Sequence, residues 1–146
     1  MKRNWYKFRI KYAELLDTGK KKNKSEEYLV DAMSFTETES RAMQTAAEAL
    51  DTRDFDIAAI SRETVTEILR SDDDEGHWFK ANIVLITPDE NTGESKESPQ
   101  TMYVQANDTS EADKRLRKHM ADSMVEWDIK SITKTKVVDV LDYKSK

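Results

Sequence analysis

The sequence predicts an α+β fold: two β-β-α-β repeats, antiparallel sheets with helices packed on one face, and a pseudo-twofold relation between the halves. Three observations carry that expectation. One aromatic-basic segment is written twice, Trp5-Tyr6-Lys7 returning as Trp78-Phe79-Lys80, with Ile10 then falling on Ile83. Further matches follow in the same order: Asp17-Thr18-Gly19 with Asn91-Thr92-Gly93, Val30-Asp31-Ala32 with Val104-Gln105-Ala106, Glu37 and Arg41 with Glu111 and Arg115, and Phe55-Asp56-Ile57 with Trp127-Asp128-Ile129. The offset between matched residues stays within 72–74, changing only in segments that read as loops, where a duplicated fold tolerates insertion and deletion.

Each element has a local reason. Residues 4–13 and 77–87 alternate and are rich in aromatic and β-branched side chains, which predicts strands. Gly19 and Gly93 sit in polar, turn-rich segments that predict hairpin loops, the second framed by Pro88 and Pro99. Residues 26–33 and 100–107 are the return strands. Ser34 with Glu37, and Asp108 with Glu111, have capping-box spacing, so helices are expected at about 35–50 and 109–124. Thr38, Ala42, Ala46 and Leu50 form one apolar stripe, and Ala112, Leu116, Met120 and Met124 form its counterpart. A last strand is expected over 55–69 and again over 127–141. Ile57 and Ile60 are three apart, so a period of two cannot bury both, and a bulge is predicted near 58–63 and 130–135. The repeats are bounded at 1–70 and 77–146, joined by the acidic, flexible link Ser71-Asp72-Asp73-Asp74-Glu75-Gly76 within one globular unit.

Strand alternation divides the repeated segment into two faces. Tyr6, Phe8, Ile10 and Tyr12 stay apolar in the second copy as Phe79, Ala81, Ile83 and Leu85, which marks the core face. Trp5, Lys7, Arg9 and Lys11 become Trp78, Lys80, Asn82 and Val84 on the other face. An indole beside cations on a sheet can stack a base while the cations meet phosphate. Trp5, Lys7, Arg9, Lys11, Trp78 and Lys80, with Lys20, Lys21 and Lys22 from the adjoining loop, are therefore the candidate ligand-binding residues. The same pattern also fits indoles covering an open sheet face under lysine stems, and lysines that block edge association. Residues 1–24 carry a net charge of +7 and the rest of the chain −12, which concentrates any attraction for polyanions at the N-terminal end.

Other chemistry is not encoded in a recognisable form. The 146 residues contain no cysteine, which excludes disulfides, thiolate metal sites and cysteine nucleophiles and favours a reducing, cytoplasmic setting. No apolar run is long enough for a membrane span, and the N-terminus lacks a signal-peptide core. His77 and His119 have no second ligand at metal spacing. The acidic link lacks the glycine and glutamate positions of a calcium loop. No phosphate loop, nucleophile elbow or acid–base pair stands out, so no catalytic residue, metal site or cofactor is expected.

The order Trp-Tyr-Lys, a polar hairpin, Tyr28-Leu29-Val30-Asp31-Ala32-x-Ser34-Phe35-Thr36-Glu37, then Phe55-Asp56-Ile57, resembles an uncharacterised domain family of anaerobic gut bacteria, their phages and mobile elements. That resemblance implies a small accessory protein and transfers no activity or site residue. The functional expectation is a non-catalytic protein binding single-stranded nucleic acid or a nucleotide. The competing expectation is a protein-interaction, assembly or host-takeover factor, as a homodimer or with another protein, and no membrane partner is expected.

Overall fold

The computed structural model describes residues 4–50 and 54–142; Lys2 and Arg3 of the basic N-terminal stretch lie outside them. The element order is β1 (Asn4–Leu15), β2 (Lys21–Ala32), α1 (Phe35–Ala49), β3 (Phe55–Glu63), β4 (Glu67–Leu69), β5 (His77–Pro88), β6 (Ser95–Ala106), α2 (Thr109–Met120), β7 (Glu126–Lys134) and β8 (Val137–Leu141). These form an α+β architecture with two helices and two four-stranded, mainly antiparallel sheets.

One sheet has the order β3-β1-β2-β8 and the other β4-β6-β5-β7. The hairpins β1–β2 and β5–β6 pair antiparallel along twelve residues each, longer than the return strands expected from pattern alone. The charged residues 21–25 do not read as strand, yet cross-strand pairing carries the ladder through them. Pro99 is likewise inside β6 rather than in a loop. It is tolerated beyond Met102–Val104, the stretch that β4 covers on the strand's other side.

The expected last strand of each half is in fact two. β3 pairs antiparallel with β1, but β4, three residues further on, runs parallel to β6 in the other sheet. Reciprocally, β7 pairs with β5 while β8 runs parallel to β2. The compact units are consequently Met1–Thr64 with Lys136–Lys146, and Val65–Thr135. The acidic segment 71–76 falls inside the second unit.

In the first unit, Tyr6, Phe8, Ile10, Tyr28, Val30 and Ala32 bury against Ala42 and Ala46 of α1, and Leu141 of β8 packs against the same cluster. In the second, Phe79, Ala81, Ile83, Met102, Val104 and Ala106 bury against Ala112, Leu116 and Met120 of α2, and Leu69 of β4 closes that cluster. Each fully buried large aliphatic or aromatic side chain contributes about 1.5–3 kcal/mol. The predicted stripes hold except at Met124, which lies past the end of α2 and is fully exposed.

Both N-caps form. Ser34 Oγ accepts from the Glu37 N–H at 3.0 Å, and Asp108 Oδ1 from the Glu111 N–H at 2.8 Å. Glu37 reaches back to the Met33 N–H at 2.8 Å, one residue before the cap itself. The bulges occur at Ala59, which has φ +52°, and at Lys130, each skipped in the pairing with the neighbouring strand. They let Ile57 and Ile60, and Ile129 and Ile132, pack against their cores despite the spacing of three.

The acidic link is bonded rather than loose. Ser71 N–H donates to Gln105 Oε1 at 3.1 Å, and Ser71 Oγ lies 2.9 Å from Asp73 Oδ1 and accepts from the Glu75 N–H at 3.0 Å. The Ser71 hydroxyl and the Glu75 backbone N–H hold the Asp73 carboxyl below its ordinary range. Gly76 ends the segment at φ +116°, where an added Cβ would sit 2.8 Å from the Ala106 carbonyl oxygen.

Candidate functional site

Seven of the nine candidate residues lie in the first unit and two, Trp78 and Lys80, in the second. The long ladder of β1–β2 places the first group. Cross-strand neighbours pair Lys7 with Leu29, Arg9 with Glu27, and Lys11 with Ser25, while β3 brings Glu63, Ser61 and Asp56 along the opposite side of β1. Two cations are partly neutralised by that arrangement. Arg9 Nη2 donates to Glu27 Oε1 at 2.9 Å, and Lys7 Nζ stands 3.6 Å from Glu63 Oε1. Trp5 is half-buried.

The end of the hairpin is different. Lys11, Lys20, Lys21 and Lys22 are all exposed. The loop is closed by the Leu16 N–H donating to the Lys20 carbonyl at 2.8 Å and the Gly19 N–H to the Leu16 carbonyl at 2.9 Å. Gly19, at φ +86°, supplies the left-handed turn. Lys24 is ion-paired with Glu14, which raises its ammonium above the ordinary range. Leu15, 69% exposed and opposite Lys21 in the ladder, puts an apolar side chain beside these lysines.

A cleft of about 500 Å³ opens next to Lys11, lined by Tyr12, Asn23, Lys24, Phe55 and Asp56 among others. Tyr12 is held in place by Glu26, which accepts from the Tyr12 hydroxyl at 3.0 Å and the Tyr28 hydroxyl at 2.8 Å. Burial first, and then the Glu26 hydrogen bond, push both phenols above their ordinary range, so both remain donors at neutral pH. Tyr12 packs against the first core cluster, as strand alternation predicts, and lines the cleft as well, whereas sequence reasoning missed Phe55, Asn23 and Leu15 as site residues. The signal available was the cross-strand register, which follows from the hairpin turn but cannot be read from either strand alone.

In the second unit the equivalent positions offer no open stacking face. Trp78 is 1% exposed, and the Arg70 guanidinium lies 5.6 Å from its ring centroid. A ring so enclosed cannot stack a base without local opening. Lys80 is half-buried between Tyr103 and Thr133 in the ladder. Asn82, at the place corresponding to Arg9, donates to Ser131 Oγ at 2.9 Å. His119 Nε2 lies 2.6 Å from Glu67 Oε2, tying α2 to β4.

Among the described residues no cluster of three or more His, Cys, Asp or Glu side chains is gathered for a metal ion. No helix among them is long and apolar enough to cross a membrane. Comparison with curated proteins and with solved structures finds no match. A family model does match, over residues 4–143, which is nearly the whole chain and includes both Trp-x-Lys segments. By that match the chain belongs to the domain of unknown function family DUF4494.

Proposed function

We propose that this chain is a non-catalytic binding protein that engages a polyanionic ligand, single-stranded nucleic acid or a nucleotide, through the exposed end of the β1–β2 hairpin. The observation that carries this reading is the exposed Lys11 on a cleft edged by Tyr12 and Phe55, with Lys20, Lys21 and Lys22 exposed further along the same hairpin. Phosphates would meet the lysines, and an unpaired base has aromatic edges within the same cleft. Arg9 and Lys7 contribute less, because each already faces a carboxylate. Trp78 and Lys80 drop out of the ligand surface, since the indole is enclosed. The reading also includes a doubled β-β-α-β ancestor with a pseudo-twofold relation, supported by the matched strand orders and bulge positions. It includes as well a setting among the cytoplasmic accessory proteins of phages and mobile elements.

Four phosphate contacts on a single strand imply a log–log salt slope of about −3. Fluorescence anisotropy of a labelled single-stranded oligonucleotide, titrated with protein over a range of salt, tests this. A slope near that value, lost in the triple variant Lys20→Glu/Lys21→Glu/Lys22→Glu, supports the reading. Absence of a complex at low salt overturns it.

A second reading is favoured by the exposed Leu15 and the half-exposed Leu16 beside the lysines. An apolar anchor ringed by cations suits an acidic protein surface. In that case binding survives moderate salt and is lost in Leu15→Ser.

A further inference from the structure

We infer that β8 is an exchangeable strand, and that the partner it fits besides its own sheet is the same sheet of a second copy of this chain. β8 is held on β2 by a short parallel ladder, Glu27 with Val137, Tyr28 with Asp139, Leu29 with Val140 and Val30 with Leu141, interrupted by one register shift. The seat is specific. Val137 and Val140 are buried, and Leu141 packs against the first unit's core.

The strand arrives from the other unit. β7 ends at Lys134 and β8 begins at Val137, so two residues make the joint. Its first residue is pinned: the Thr135 N–H and hydroxyl both donate to the Trp78 carbonyl, at 2.9 and 2.8 Å. The strand therefore leaves the second unit from a fixed point and completes a sheet whose other three strands lie more than seventy residues earlier. Nothing in the ladder requires that sheet to belong to the same chain.

In a reciprocal dimer every contact of β8 re-forms on the partner, and the two closures differ in tether and joint. Effective concentrations for short tethers are of millimolar order, which sets the crossover between them. A joint of two residues adds to the tendency, because short hinges invite exchange and longer ones oppose it. The hairpin lysines take no part, so this inference stands or falls apart from the ligand proposal.

The test is refolding of the full chain from denaturant at about 1 mM and at about 1 μM, followed by dilution to equal concentration and light scattering. A dimer is expected from the concentrated sample, at least tenfold more abundant than from the dilute one. Val140→Asp, which puts a charge in the buried seat, is expected to abolish it. A four-residue Gly-Ser insertion between Thr135 and Lys136 keeps every packing side chain and is expected to shift the product to monomer. Lys20→Glu/Lys21→Glu/Lys22→Glu is expected to leave the dimer unchanged. No dimer from the concentrated refolding overturns the inference, as does a dimer that persists in both the Val140→Asp and the insertion proteins.

Discussion

Leu69 and Leu141 occupy matching positions in the two halves, yet each packs against the core that the other half supplies. Leu69, in β4, packs against Phe79, Met102 and their neighbours, while Leu141, in β8, packs against the cluster of Phe8, Tyr28 and Val30. Truncating either to alanine removes three carbons. At about 0.8 kcal/mol per buried methylene a full burial would cost about 2.4 kcal/mol. Both side chains are only partly buried, which lowers the transfer cost, and the cavity left behind raises it again, giving about 1–3 kcal/mol. Native-state hydrogen exchange reads where that loss appears. An amide that exchanges through opening of the affected sheet should speed up by roughly five- to more than a hundredfold. Leu69→Ala should loosen the amides of β5 and β6, although Leu69 follows β3 by only a few residues. Leu141→Ala should loosen β1 and β2, although Leu141 follows β7. The reverse pattern, Leu69→Ala opening β1–β2 and sparing β5–β6, would refute the crossed strand pairing.

Further outcomes follow from other local features. Gly76→Ala should cost about 2–3 kcal/mol in urea unfolding, because φ is +116° and the new Cβ meets the Ala106 carbonyl oxygen at 2.8 Å. Ser34→Ala and Asp108→Ala should each cost about 0.5–2 kcal/mol, since each removes the acceptor for an N-terminal helix N–H. The raised Tyr12 and Tyr28 phenols add stability that is fully present below about pH 10 and is lost as pH rises through their folded values. Urea midpoints should therefore fall on the alkaline side, and Tyr28→Phe should flatten that fall.

The sequence made the local layers legible. Alternation at Tyr6, Phe8 and Ile10 identified the core face, and the spacing Ser34 to Glu37 and Asp108 to Glu111 located both helix starts. The three-residue spacing of Ile57 and Ile60 marked the bulge before any pairing was known. The crossing of β4 and β8 was not legible, because Glu67–Leu69 and Val137–Leu141 are equally good strands for either sheet. The partners of each strand are distant in the chain, with Leu69 packing against the second core and Leu141 against the first. The site was legible in part. The lysines at the end of the hairpin stood out by charge. Neutralisation of Arg9 by Glu27 depends on β1–β2 register, and of Lys7 by Glu63 on β1–β3 register. The Arg70 guanidinium beside the buried Trp78 ring follows β4, which joins the second sheet. Two indoles that look equivalent in the sequence thus differ in exposure, Trp5 half-buried and Trp78 buried.

The most direct measurement of the binding surface is an amide chemical-shift map of the ¹⁵N-labelled chain titrated with a short homopolymeric single-stranded DNA at low salt. A cationic hairpin site predicts perturbations centred on Lys11 and Lys20–Lys24, extending to Tyr12 and Phe55, that fade at high salt. Shifts confined to β5 and β6, or none at saturating DNA, would contradict it.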